Sequence, residues 1–140
     1  MATKADFTED EWKTLEKGVM GAGMLVSLSD PDFTDMFGEA SAIAKYLGEQ
    51  RSSAGSELMR ELAAVRGRGG FGMTDSRDEI EGETMAALQA AKELLAAKAP
   101  DDVEAYSALV LGVAEAAATA KSGVEASETA AIEQVREALG

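Results

Sequence analysis

Apolar positions along this chain recur every three or four residues and never in a run of strict alternation, which is the period of helices. The first recurrence has a complete start signal. Thr8 stands as an N-cap with Glu11 three residues on, the spacing of a capping box. Phe7 precedes the cap and Trp12 occupies the fourth helical position, a pair that makes a hydrophobic staple. Glu9, Asp10 and Glu11 set negative charge on the positive end of the helix. Trp12, Leu15, Val19, Ala22 and Val26 then form one stripe. From Gly18 to Leu28 the segment is apolar all round, which predicts a helix covered on every side at the centre of a bundle. Gly18, Gly21 and Gly23 would admit a neighbouring backbone, and their poor helix propensity allows for a break near Gly21 or Gly23.

Asp30 before Pro31 marks a second start, because proline suits the first helical position. The stripe Phe33, Met36, Phe37, Ala40, Ile43, Ala44 and Leu47 carries that helix to about Gln50. Ser52 and Ser53 are read as opening a third helix with Leu58, Met59, Leu62 and Val65. Four glycines within residues 66–72 end it. A fourth helix starts at Ser76, with Glu79 in the box position, carries Ile80, Ala87, Leu88, Ala91, Leu94 and Leu95, and stops before Pro100. Asp101, with Glu104, is read as the cap of a fifth, whose stripe is Val103, Tyr106, Leu109, Val110, Val113 and Ala117. After a turn at Lys121–Gly123, a sixth runs from about Ala126 to Leu139. The expected fold is all-α: one compact bundle of five to seven helices with short loops. It forms a single helical domain over 1–140, with a flexible glycine-rich loop at about 66–75.

Composition strengthens this reading and narrows the chemistry. The 27 alanines favour helix, and only two prolines occur. A chain of 140 residues with 46% hydrophobic residues is long enough to bury a real core. Neither cysteine nor histidine is present. Disulfides, thiolate nucleophiles, zinc fingers, Ser-His-Asp triads and imidazole ligation are therefore excluded. Carboxylates remain, but nothing singles out one acid–base pair, and 5% aromatics is thin for a sugar cleft. A non-catalytic chain is expected.

The net charge is −13, split as −4 over residues 1–70 and −9 over 71–140. Neither half offers a phosphate backbone the basic surface it needs, so DNA is not expected as a partner. An anionic membrane would repel the chain likewise. The longest apolar stretch has about 11 residues where a spanning helix needs roughly 20, so no membrane span is expected. Met1–Asp10 has no signal-peptide pattern, so a cytoplasmic chain is expected. Cationic partners and divalent metals suit the charge.

Four sets of residues carry candidate chemistry. Arg66, Arg68 and Phe71 lie in an arginine–glycine stretch that suits a partner contact or, against the acidity of the chain, RNA. Asp30, Asp32, Asp35 and Glu39 resemble a calcium loop but place Asp35 where a glycine is needed, so they are read as charges at a helix start. Asp75, Asp78, Glu79, Glu81 and Glu83 crowd the start of the fourth helix. Asp78 and Glu81 stand three apart, and Glu79 and Glu83 four apart, so like charges face each other; plain solvent would relieve them, as would a divalent cation. Met20, Met24, Met36, Met59, Met73 and Met85 fall mostly on apolar stripes and are read as core filling.

The stretch Ala105–Leu139 resembles the tellurite-resistance TerB-like family, an all-α fold of bacterial stress proteins. Gly123, Val124 and Glu128 match parts of that family's turn between two helices, and Ile132, Val135 and Leu139 match the stripe that follows. The turn's aspartate falls near Lys121, and its cap serine is replaced by Glu125. Glu115, Glu125 and Glu128 are the oxygen ligands that the resemblance leaves near the turn. The leading expectation is a TerB-like helical module that binds a protein partner in a stress-associated or accessory role, with no cofactor. The first alternative is a divalent-cation site built from Glu79, Glu83, Glu115, Glu125 and Glu128. The second is RNA binding through Arg66 and Arg68. An exposed Gly18–Leu28 face would pair two copies as a homodimer, whereas a covered one is expected.

Overall fold

A computed structural model describes residues 4–29, 36–53, 56–64, 77–119 and 126–139; the side chains at 27–29, 36–41, 53, 77, 119 and 126–129 are not among those described. These residues form six α-helices: α1 (Glu9–Ser29), α2 (Met36–Ser53), α3 (Glu57–Leu62), α4 (Arg77–Lys98), α5 (Val103–Thr119) and α6 (Ala126–Leu139). Two short 3-10 turns, Lys4–Asp6 and Pro100–Asp102, precede α1 and α5. Among the described residues there is no strand. The structure is the compact all-α bundle that the apolar period predicts.

α1 is its axis. It packs against α4, α5 and α6, while α2 lies on α5, and α3 on α2 and α5. Leu15, Val19, Ala22, Leu25 and Val26 of α1 are wholly buried, in one hydrophobic cluster with Leu62, Leu88, Leu95, Val110, Val113 and Val135 from its neighbours. The Gly18–Val26 stretch is thus largely covered from within its own chain, but not on every side as expected, since Met20 and Met24 stay partly exposed.

The start of α1 has the expected chemistry. The Thr8 amide donates to Glu11 Oε1 at 2.8 Å, and the Glu11 amide donates to Thr8 Oγ1 at 3.2 Å. The Phe7 and Trp12 rings lie 6.2 Å apart, both buried, as the staple requires.

Three boundaries differ from the sequence reading. α1 runs unbroken through Gly18, Gly21 and Gly23. Each glycine costs about 1 kcal/mol of helix propensity, but close packing outweighs it. A Cβ on Gly18 would overlap the Tyr106 hydroxyl, and one on Gly23 would lie 2.8 Å from both Ile43 Cδ1 and Val113 Cγ1. Ser52 and Ser53 end α2 rather than opening the next helix. The cap of α3 is Ser56, whose Oγ accepts from the Met59 amide at 3.1 Å. Asp101 does not cap α5. Pro100, which has no N–H, begins a 3-10 turn in which the Asp102 amide donates to the Ala99 carbonyl at 2.9 Å, and α5 starts at Val103. The expected starts at Asp30 and Ser76, the loop at 66–75 and the turn at Lys121–Gly123 lie outside the described residues.

Tyr106 joins α5 to α1. Its ring is fully buried, and its hydroxyl donates to the Leu15 carbonyl at 2.9 Å across 91 residues of sequence. Burial pushes this phenol far above the ordinary tyrosine range. The half-buried Tyr46 is raised too, by desolvation first and then by Glu115 and Glu49. An unfolded tyrosine titrates near pH ~10, so above that pH the native state holds the proton that the unfolded chain gives up. Stability contributed by the protonated Tyr106 is therefore whole below about pH 10 and is lost as pH rises beyond it. In an alkaline titration followed by tyrosinate absorbance, Tyr106 is expected to ionise only as the helical circular dichroism disappears. A Tyr46→Phe variant makes Tyr106 the one tyrosine observed. Ionisation ahead of helix loss would contradict the buried bond.

α4 carries one polar atom in the wrong solvent. Thr84 is wholly buried, and among the described residues its Oγ1 has no hydrogen-bond partner. A hydroxyl buried without a partner costs about 1–3 kcal/mol, and valine has nearly the same shape. Thr84→Val is expected to raise stability by about that amount, read as a higher urea midpoint; a lower midpoint would show that the hydroxyl is bonded in solution.

Candidate functional site

The α4 helix divides its residues by face. Ile80, Thr84, Ala87, Leu88, Ala91 and Leu95 point inward, at the three- and four-residue spacing that a covered face needs. Asp78, Glu79, Gly82, Glu83, Ala86, Gln89 and Glu93 are exposed on the other side. This outer face is acidic around a smooth centre of glycine and alanine. At Gly82 nothing lies within 4 Å of where a Cβ would be, so no internal neighbour accounts for this glycine as Tyr106 accounts for Gly18.

The structure separates the acidic residues that the sequence groups together. Asp78, Glu79 and Glu83 are exposed. Glu81 turns toward α6, where its Oε1 accepts from Gln134 Nε2 at 3.2 Å. Asp75 lies outside the described residues. Glu79 and Glu83 remain one helical turn apart on α4.

The five residues proposed as metal ligands fall on three helices and a stretch outside the description. Glu79 and Glu83 are on α4 and Glu115 is exposed on α5. Glu128 is in α6, with its side chain outside the described set, and Glu125 is outside it altogether. Among the described residues, no group of three or more acidic side chains is placed to hold a metal ion. Arg66, Arg68 and Phe71 also lie outside the described residues. Of the methionines, Met59 is buried, while Met20 and Met85 pack against the core.

A second surface feature was not read from the sequence. Tyr46 of α2 lies across Gly112 of α5, so closely that a Cβ on Gly112 would overlap the phenol ring and hydroxyl. Glu49 and Glu115 flank that phenol with negative charge and oppose its ionisation. The signal available was a lone glycine between Leu111 and Val113, inside an otherwise strong helix pattern.

No helix among the described residues is long and apolar enough to cross a membrane. The class defined by these observations is an all-α bundle with an acidic outer helix. Comparison with models of protein families, with curated proteins and with solved structures finds no match to this chain.

Proposed function

We propose that this chain is a non-catalytic, cytoplasmic helical module that binds a protein partner, TerB-like in kind, in a bacterial stress-associated or accessory role. The observation that carries the reading is the outer face of α4: Asp78, Glu79, Glu83 and Glu93 exposed around Gly82 and Ala86. A flat helix face with this charge suits a basic segment of a partner. Complementary charge speeds the encounter and fixes register, while the small central residues permit close backbone approach. The TerB-like reading is supported by the resemblance at Gly123, Val124, Glu128, Ile132, Val135 and Leu139. In it, Arg66, Arg68 and Phe71 supply a further contact outside α4.

The test compares the wild-type chain with D78N/E79Q/E83Q/E93Q as immobilised baits in native bacterial lysate at about 0.1 M salt, where the screening length is about 10 Å. The expected result is a specific basic protein retained by the wild type, absent from the variant and released by raised salt. Identical retention by both baits would remove the α4 face from the reading.

A further inference from the structure

The segment that leads into α1 is tied to three different helices. Phe7 is almost fully buried against Trp12 of α1. The Lys4 amide donates to Glu61 Oε2 of α3 at 2.8 Å, and the Lys4 ammonium lies 5.4 Å from the centre of the Trp12 ring. From the far end of α4, Lys98 Nζ reaches the Asp6 carbonyl at 3.2 Å and Glu11 Oε1 at 2.7 Å, and lies 5.5 Å from the centre of the Phe7 ring. One carboxylate oxygen, Glu11 Oε1, therefore serves both the Thr8 cap and the Lys98 ion pair. Lys98 first, and then the Thr8 amide, hold the Glu11 carboxyl below the usual carboxylate range.

These ties differ from those of the core. Lys4, Ala5, Asp6 and Thr8 are exposed, Phe7 is the one buried side chain among them, and the ion pair is partly in water. A segment with so little buried apolar surface opens more cheaply than the bundle it covers. We propose that Lys4–Thr8 is a strap that opens as a unit while the helices stay folded, that the Lys98–Glu11 pair is its latch, and that opening uncovers Trp12. Any event that neutralises either charge then shifts the strap toward its open state, so the end of the core at Trp12 is conditionally accessible.

Native-state hydrogen exchange on the full chain tests this. The Phe7 amide, bonded to the Lys4 carbonyl at 3.1 Å, and the Thr8 amide report on the strap; the amides of Val110 and Val113 report on the core. Phe7 and Thr8 are expected to share one opening, faster than that of Val110 and Val113. Glu11→Gln keeps an acceptor for the capping box but removes the ion pair, and Lys98→Met removes it from the other side. Each is expected to speed strap exchange about twofold to fivefold, the range for a partly exposed pair, without moving the core rates. Lys98→Arg is expected to restore the wild-type rate, and Phe7→Ala to raise strap exchange about tenfold or more. Strap amides that exchange at the core rate, or that keep the wild-type rate in both latch variants, would overturn the proposal.

Discussion

A Gly18→Ala variant is expected to lose about 2–4 kcal/mol of stability, although alanine is the better helix former. The gain in propensity is about 1 kcal/mol. Against it stands the new methyl group, which overlaps the Tyr106 hydroxyl and lies 3.1 Å from Leu88 Cδ2. Overpacking of this kind costs about 1–3 kcal/mol. Displacing the phenol also breaks its bond to the Leu15 carbonyl and strands a buried hydroxyl, worth about 1–3 kcal/mol more. The decisive control is the background. In Tyr106→Phe the clashing oxygen is gone and a small space opens where the methyl group fits, so Gly18→Ala should cost far less there. Urea midpoints of the two single variants and the double variant form the cycle. A coupling of about 1–3 kcal/mol is expected between these touching positions. Additive losses would mean that Gly18 matters for some reason other than the phenol.

That pair also marks the limit of what the sequence discloses. Features decided within one helical turn were legible. The Thr8–Glu11 box, the Phe7–Trp12 staple and the inward stripe of α5 need only local spacing, and the bounds of α6 follow from the same pattern. Gly18 was read as admitting a neighbouring backbone, but what comes close is the Tyr106 side chain, 88 positions away and with no local signature. Gly112 was not read as such a site, and Tyr46, which lies across it, is 66 positions away. Where local signals compete, the local reading also falters. Ser52 and Ser53 were read as opening α3, but the residue that caps it is Ser56, whose Oγ accepts from the Met59 amide. The candidate site behaved likewise. Its exposed acids were visible as a cluster, but Gln134, which takes Glu81 out of it, comes from 53 residues further on.

Replacing Trp12 with alanine, in the first turn of α1, should be the more damaging change. The ring is 6% exposed, lies tilted at 52° to the Phe7 ring and sits beneath the Lys4 ammonium. Truncating a buried tryptophan costs about 3–5 kcal/mol. Native domains hold only about 5–15 kcal/mol in total, so a thermal melt should move far toward ambient temperature or lose its cooperative step. Trp12→Phe keeps an aromatic partner for Phe7 and should retain a cooperative melt. A loss below about 1 kcal/mol for Trp12→Ala would show that this end of the core is loosely held in solution.

The central position of α1 has a consequence during synthesis. This helix is made before most of the surfaces that cover it, which belong to α4, α5 and α6, at residues 77–139. Translation at about 5–20 residues per second leaves roughly 5–20 s between the completion of α1 and the emergence of α6. Early in that interval the largely apolar Gly18–Val26 stretch lacks the α4 and α5 surfaces that later cover it. The newborn chain is then expected to draw on cellular factors that shield apolar segments at the ribosome, so that its yield in a cell reflects them as well as the stability of the finished bundle.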